Sequence, residues 1–294
     1  MSEIKLGVSP LSWMNSDIPS LGDAIPIEQC LSEVAEIGYL GVELEDPMRK
    51  ILPKLPELLK ELKITCAAGW HSTFLLENSW EQELASIQKH LEVLDKIGAR
   101  MVNLAECSGS VHRLSGVSLS TRPKLNDHEV KKLAELLDKL SDYIHQQGFK
   151  TAYHHHMGTV IQDADDIRRL MSCSEIMGLL FDSGHLYFAG EEPLKVLKEH
   201  LNRVTHVHLK NIRPDKLNRE GDFFSAIVNG AFTVPGDGLG IDFAPIVEAL
   251  VQSGYQGWMI VEAEQDPSKA NPYTYAQMGY RTMRELLGHQ CVKV

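Results

Sequence analysis

The sequence has 294 residues, 43% hydrophobic and 23% charged, which is typical of a globular protein that folds around a core. Its 29 basic and 40 acidic residues give a net charge of −11. This charge argues against a nucleic-acid partner, because phosphate backbones are bound by clustered Lys and Arg. It does not exclude a small neutral ligand.

The cysteines and the start of the sequence indicate a reducing compartment inside the cell. The five cysteines are odd in number, widely spaced and free of any CxxC pair, which favours thiols in a reducing environment. They are Cys30, Cys66, Cys107, Cys173 and Cys291. The start MSEIKLGVSP lacks the features of a signal peptide, and no stretch approaches the roughly 18 apolar residues of a membrane span. We therefore expect a cytoplasmic protein that does not cross a membrane.

Short β-like runs alternate with longer amphipathic segments along the chain. The predicted strands are residues 5–9, 40–44, 64–69, 101–105, 150–154, 177–182, 204–209 and 258–262. Residues 80–97 and 127–147 have apolar residues at three-to-four spacing, which predicts helices. Glycines stand just before several strands, where helices commonly end. These glycines are Gly38, Gly98, Gly148 and Gly254.

Eight strand–helix units predict an α/β fold, a single (β/α)8 TIM barrel over residues 1–294. An open doubly wound sheet has the same alternation, but no GxGxxG motif follows the first strand and the eightfold count favours a closed barrel. Two connections are unusually long, residues 107–125 after the fourth strand and 211–240 after the seventh. Both fall on the C-terminal face, where TIM barrels carry their active sites.

Polar residues follow the last four predicted strands. The strand ends read YHHHMG (153–158), FDSGH (181–185), HVHLKN (206–211) and VEAEQD (261–266). Together they could supply two imidazoles and two carboxylates, a set that suits Mn²⁺, Co²⁺, Zn²⁺ or Fe²⁺. Ca²⁺ and Mg²⁺ prefer oxygen ligands alone. The pattern therefore predicts a transition-metal site.

The run of three histidines could also form a zinc cluster of its own. Residues i and i+2 of a strand share a face, so His154 and His156 point one way and His155 the other. At most two of them can share a metal from a regular strand, and we expect one ligand from this run.

These strand ends resemble the xylose-isomerase-like superfamily of TIM-barrel sugar isomerases and epimerases. That superfamily has Glu on strand five, D-x-x-H on strand six, H-x-K-D on strand seven and Glu on strand eight. Asp182 and His185 match the D-x-x-H motif. His208 and Lys210 match H-x-K, and Glu262 matches the last Glu.

Within that superfamily the sequence is most similar to the inosose dehydratase family of inositol catabolism, over essentially its whole length. The runs that carry this similarity are PLSW (10–13), WHSTF (70–74), YHHHMGT (153–159), FDSGH (181–185), TVPGDG (233–238) and VEAEQDP (261–267). Two positions depart from the superfamily: His154 replaces the strand-five Glu, and Asn211 replaces the Asp of H-x-K-D. In the epimerases, as the resemblance implies, carboxylates on strands five and eight each exchange a proton on one face of a carbon. Losing one of them disfavours epimerisation and suits a one-sided elimination.

The resemblance implies a hydro-lyase that dehydrates 2-keto-myo-inositol (scyllo-inosose) to a trihydroxycyclohexane-1,2-dione. On this basis one divalent metal, Mn²⁺ or Co²⁺ in the first place with Zn²⁺ and Fe²⁺ as alternatives, is expected at four residues. They are His154, Asp182, His208 and Glu262.

The elimination needs a base for the α-proton and an acid for the departing β-hydroxyl. Glu262 is the first choice for the base, and His156 or His185 for the acid. Lys210 could stabilise an enolate or simply lie on the surface. Several other residues are candidate substrate contacts or, equally, packing residues. They are Trp13, Glu43, His71, Glu106 and Glu264.

Three other functions stay open. A ketose epimerase or isomerase could use the same scaffold. A phosphoesterase like the apurinic endonucleases would carry several zincs, but the charge of −11 counts against it. A metal-bound ligand sensor would bind without turnover. The expected partner is a small polyol ketone, and a homo-oligomer is left open because no exposed patch can be read from the sequence.

Overall fold

Eight parallel strands close into a barrel in the computed structural model, which describes residues 4–289. In chain order the strands are β1 (Ile4–Val8), β2 (Gly41–Leu44), β3 (Thr65–Thr73), β4 (Met101–Glu106), β5 (Lys150–His154), β6 (Leu179–Asp182), β7 (Val204–Leu209), β8 (Asn211–Ile212), β9 (Phe232–Thr233) and β10 (Gly257–Val261). β10 pairs with β1 and with β7, which closes the barrel, while β8 and β9 form a separate antiparallel pair. The predicted TIM barrel is confirmed. Cys291 lies outside the described residues.

The helices surround the barrel. They are α1 (Ile27–Ile37), α2 (Leu55–Leu62), α3 (Trp80–Lys96), α4 (Asp127–Gln146), α5 (Ala164–Cys173), α6 (Ser183–Ala189), α7 (Pro193–His200), α8 (Phe223–Val228), α9 (Ala244–Gln252) and α10 (Pro272–His289). Capping boxes at Ser79 and Asn126 begin α3 and α4, the two helices predicted from periodicity. Gly38 ends α1 in the left-handed conformation at φ 106°, where a side chain would be strained. None of the helices within residues 4–289 is long and apolar enough to cross a membrane.

The core lies between the barrel and the helices. The face of α4 that was predicted to be apolar is buried at Val130, Leu133, Leu137 and Leu140. Apolar residues that point outward from the strands meet such helix faces, and this leaves the inward positions at the C-terminal mouth for polar residues.

Two strands differ from the predicted boundaries by more than one residue. β3 continues to Thr73 because it pairs with β4 as far as Glu106. β6 begins at Leu179 rather than at Met177. The amide of Met177 donates to the Asp138 carboxylate at 3.2 Å, so it is not available to a neighbouring strand.

The two long connections cover the C-terminal mouth. The first is fastened by Arg122, which is buried and contacts Asp163 at 2.8 Å and Asp166 at 2.6 Å. The second contains the β8–β9 pair and α8. In it Asn211 accepts from the amide of Ile241 at 3.1 Å, and its side chain donates to the carbonyl of Asp237 at 2.7 Å. Asn211 therefore organises this loop.

Candidate metal centre

Four side chains from neighbouring barrel strands converge at the C-terminal mouth. His154 ends β5, Asp182 ends β6, His208 lies near the end of β7, and Glu262 directly follows β10. Asp182 and His208 are also direct partners in the register of β6 with β7. All four side chains are buried. The structure thus brings together the four residues proposed as metal ligands.

Their polar atoms face one another at short range. Asp182 Oδ2 lies 3.4 Å from His154 Nε2 and 3.7 Å from His208 Nδ1. His208 Nδ1 lies 3.1 Å from Glu262 Oε2. His154 Nε2, Asp182 Oδ2 and His208 Nδ1 are buried and have no hydrogen-bond partner within the described part of the chain. Buried polar atoms are normally satisfied, so these residues fit a bound cation.

A second group of candidate ligand atoms lies deeper in the barrel. Glu43 on β2 contacts His206 Nε2 at 2.8 Å and His208 Nε2 at 3.1 Å. Both imidazole nitrogens are hydrogen-bonded here, in contrast to the unpartnered Nδ1 of His208. Burial would raise the pKa of Glu43, but the two histidines outweigh it and lower that pKa to about 2. Glu43 is therefore ionised, and it supports His208 from the side away from Asp182.

The run of three histidines does not form one cluster. His155 is buried, and its Nε2 accepts from the Asp182 backbone amide at 3.3 Å. None of the potential metal groups within residues 4–289 contains two of the three histidines. His154 groups with Asp182 and His185, whereas His156 groups with His185 and Glu264.

The charged groups of the centre and their burial shift one another's pKa values. Burial opposes ionisation of Asp182, but His185 and Lys210 outweigh it and hold the pKa of that carboxyl well below its usual range. His208 and Lys210 likewise lower the pKa of Glu262 against the effect of burial. The neighbouring Glu262 and Glu43 raise the pKa of His208 well above its usual value, although burial acts in the opposite direction. Burial lowers the pKa of His154 to about 4, so this imidazole is neutral and can act as a ligand.

Lys210 lies behind the carboxylates and not on the surface. Its side chain has no exposed area, and Nζ lies 2.6 Å from Glu262 Oε1 and 2.6 Å from Glu264 Oε1. His185 Nε2 is 2.7 Å from the same nitrogen. Burial would lower the pKa of Lys210, but Asp182, Glu262 and Glu264 outweigh it and raise that pKa. Lys210 is thus a permanent cation within the centre.

A cavity opens above the candidate ligands, and its wall includes His154, His156, His208, Glu262 and Glu264. Residues from the first half of the chain complete the wall, and several of them were not candidate substrate contacts in the sequence interpretation. They are Ser16, Asp17, Glu45, Trp70, His112 and Arg113. His112 and Arg113 belong to the long 107–125 connection, which was the only sequence signal for them.

Three loops, which follow β1, β2 and β4, meet across the cavity mouth. Arg113 contacts Asp17 at 2.8 Å, and Ser16 donates a hydrogen bond to Glu45. Burial raises the pKa of Asp17, although Arg113 opposes this, and burial raises the pKa of Glu45 well above its usual range. Hydroxyl-bearing ligands suit this wall, because its carboxyl groups accept hydrogen bonds and the Arg113 guanidinium donates them.

The structure places some of the candidate substrate contacts in the cavity wall and others in the packed core. Glu43 and Glu264 line the cavity. Trp13 is fully buried and donates to Glu33 of α1 at 2.6 Å, so it is a packing residue. His71 faces the other side of β3 and packs against His90 of α3 with ring centroids 5.0 Å apart.

Glu106 is a structural residue. Its carboxylate accepts from the Thr73 hydroxyl at 2.8 Å and from the Leu75 amide at 2.9 Å. It therefore fixes the turn that follows β3.

Comparison with known proteins identifies the family. Residues 31–286 match the model of the xylose isomerase-like TIM barrel family. The chain belongs to this family. Within it, the chain is 40% identical to an inosose dehydratase of Bacillus thuringiensis, over 97% of this chain and 98% of that protein. It is also 40% identical to the rhizopine catabolism protein MocC of Rhizobium meliloti, over 97% of this chain and 89% of that protein.

The similarity of this family member to inosose dehydratases, expected from the sequence motifs, is confirmed by these identities. A solved structure of the IOLI protein with a bound zinc atom has a TM-score of 0.69 at 18% identity, over 97% of this chain and 98% of that one. At that identity the likeness concerns the fold alone.

Proposed function

We propose that this protein is a metal-dependent inosose dehydratase, a hydro-lyase that converts 2-keto-myo-inositol to a trihydroxycyclohexane-1,2-dione. Relatives that carry this name match the chain at 38–40% identity over nearly its full length. The observation in the site that carries the proposal is the imidazole of His154 where an epimerase has a carboxylate. His154 lies beside Asp182 and leaves Glu262 as the carboxylate for proton transfer on one face.

His154, Asp182, His208 and Glu262 would hold one divalent metal, and Mn²⁺ or Co²⁺ is proposed for this mixed nitrogen and oxygen set. When bound, the metal supplies Lewis acidity that polarises the ketone and stabilises negative charge on the enolate.

Glu262 is proposed as the base. It lines the cavity, and Lys210 keeps it ionised through a 2.6 Å contact. The same contact weakens it as a base, so the α-proton must be acidified by polarisation of the ketone. After accepting this proton, the Glu262 carboxyl can return it to the β-hydroxyl on the same face. The C–O bond then breaks, the C=C bond forms, and water departs.

The two histidines proposed as the acid have different positions. His156 lines the cavity, whereas His185 lies behind it against Lys210. The Nδ1 of His156 is 2.9 Å from the carbonyl of Met157, which can only accept a hydrogen bond, so Nδ1 carries the proton. Burial lowers the pKa of His156 well below its usual value, so its Nε2 stays unprotonated. His156 therefore starts as an acceptor that binds a substrate hydroxyl, and it can act as an acid only after receiving a proton.

We also propose a cytoplasmic compartment and a small polyol partner. Cys30, Cys66 and Cys107 are buried free thiols, which supports a reducing, cytoplasmic compartment. The acidic and hydroxyl-binding cavity wall supports a neutral polyol as the partner and gives no support to a nucleic acid.

The proposal is tested by assaying the metal-stripped protein on 2-keto-myo-inositol with added Mn²⁺ or Co²⁺. Mass spectrometry should show loss of one water that depends on the metal. Ketopentoses and ketohexoses assayed in parallel address the alternative, a ketose epimerase. Epimerisation of a ketose without dehydration of the inosose would overturn the proposal.

A further inference from the structure

Glu43 occupies a central position beneath the candidate metal ligands. It lies on β2, on the far side of the barrel from β7, and its side chain is buried. Its Oε1 atom lies 2.9 Å from Asn103 Nδ2, 2.8 Å from His206 Nε2 and 3.1 Å from His208 Nε2. Three donors therefore converge on one carboxylate.

This convergence determines which nitrogen of His208 is free. An ionised carboxylate can only accept hydrogen bonds, so each imidazole that contacts Glu43 must keep a proton on Nε2. The Nδ1 atom of His208 then faces Glu262 Oε2 at 3.1 Å and Asp182 Oδ2 at 3.7 Å. Nδ1 is thus the ring nitrogen that can give up its proton to a cation, and it faces the side where the other proposed ligands lie.

We infer that Glu43 is a positioning residue for the metal: it fixes the orientation of His208 so that Nδ1, and not Nε2, is the ligand atom. This inference rests on the metal site of the proposed function. Carboxylates that hold a ligating histidine typically contribute 10–100-fold to metal affinity. The contribution of Glu43 acts through His208 and requires no contact between Glu43 and the metal.

Substitution by glutamine tests the acceptor role at nearly constant volume. A glutamine accepts only at Oε1, and its amide nitrogen donates. His208 Nε2 lies 3.1 Å from both oxygens of Glu43, so the amide nitrogen introduced by Glu43→Gln would face this ring and favour a ring flip or the other tautomer of His208. We expect the dissociation constant for Zn²⁺ to rise by roughly 10–100-fold. Glu43→Asp keeps an acceptor-only group and should lose less affinity than Glu43→Gln.

Glu106→Gln is the matched control. Glu106 is also a buried carboxylate at a strand end, but it contacts Thr73 and Leu75 rather than a proposed ligand. Its substitution should lower stability and leave the affinity for Zn²⁺ unchanged. The affinities are measured by competition with a chromophoric chelator.

A measurement on the unmodified protein keeps the inference falsifiable if the variants fail to fold. In the Zn²⁺ form with ¹⁵N-labelled histidine, the His208 ring should show a protonated Nε2 and a metal-bound Nδ1. The signal is assigned by its loss in His208→Gln. Metal on Nε2, or equal Zn²⁺ affinity in folded Glu43→Gln, would overturn the inference. Absence of Zn²⁺ binding by the unmodified protein would instead overturn the proposed metal site.

Discussion

The Nζ atom of Lys210 lies 2.6 Å from Oε1 of Glu262, and the lysine side chain is fully buried. The same nitrogen lies 2.6 Å from Glu264 and 3.6 Å from Asp182. One ammonium group thus contacts three carboxylates. We therefore expect the folded structure around the site to depend on Lys210.

Replacing this lysine should destabilise the metal-free protein. Lys210→Met removes a buried cation from beside Asp182, Glu262 and Glu264, so the free energy of unfolding should fall by about 3–5 kcal/mol. Urea unfolding in the presence of a chelator measures this loss. Lys216→Met is the control, because Lys216 is exposed and its change should stay within about 0.5 kcal/mol. Equal stability of the two variants would contradict the compensating role.

Substitution of Glu262 should weaken metal binding, whereas substitution of Glu264 should not. Glu262→Gln should abolish dehydration and weaken metal binding, because Oε2 faces His208 Nδ1 at 3.1 Å. Glu264→Gln should bind metal normally, since Glu264 contacts Lys210 and not the proposed ligands. Metal analysis after dialysis and a dehydration assay measure both effects. Normal turnover in Glu262→Gln would show that another residue is the base.

A carboxylate at position 154 should change the outcome of proton transfer. His154→Glu restores the strand-five acid/base of the epimerases, opposite Glu262. We expect dehydration to be lost and the substrate α-proton to exchange with solvent. Proton NMR in D₂O follows both reactions on one sample, and continued dehydration without exchange would argue against the one-sided mechanism.

The contact between Arg113 and Asp17 should contribute to substrate binding. Arg113→Gln removes a charged wall residue, and we expect KM to rise about tenfold, which corresponds to about 1.4 kcal/mol, with little change in kcat. Arg113 is half exposed, so the loss of stability should stay below about 1 kcal/mol. Steady-state kinetics and urea unfolding measure the two quantities, and a fall in kcat alone would place Arg113 in the chemical step.

The buried pair His71 and His90 should make stability depend on pH. Burial lowers their pKa values to about 4 and about 3, so both remain neutral in the folded state. Their stabilising contribution is complete above the unfolded pKa of about 6.5 and is lost as the pH falls below it. Between pH 7 and pH 5, His90 should account for about 2 kcal/mol of lost unfolding free energy. His90→Gln should remove the His90 part of this dependence and leave the part due to His71, and exposed His128→Gln should retain both.

The parts of the molecule that follow local rules could be predicted from the sequence. Residues i and i+2 of a strand share a face, which puts His206 and His208 of β7 together, and the structure has both in contact with Glu43 inside the barrel. The eight barrel strands followed from runs of apolar residues bounded by helix ends. The likeness of the chain to inosose dehydratases followed from motifs at the strand ends.

Other features depend on tertiary contacts that no local pattern encodes. His71 and its neighbour Trp70 alternate along β3, but the sequence did not reveal that Trp70 is the one lining the cavity. Asp17 and Arg113 are 96 residues apart and meet only because two loops close over the barrel. Lys210 at a strand end was equally compatible with solvent exposure until Glu264 was seen to face it.

Lys210 also limits how many metal ions this site can use. Ligand atoms of His156, His185 and Glu264 lie within 4.8 Å of one another, which is close enough for a second ion. The lysine nitrogen lies 2.7 Å from His185 and 2.6 Å from Glu264, so a second positive charge is already supplied by the polypeptide. This positive charge disfavours a multinuclear hydrolytic centre of the endonuclease kind. Lys210 supplies one positive charge permanently, and the proposed divalent metal would add two more.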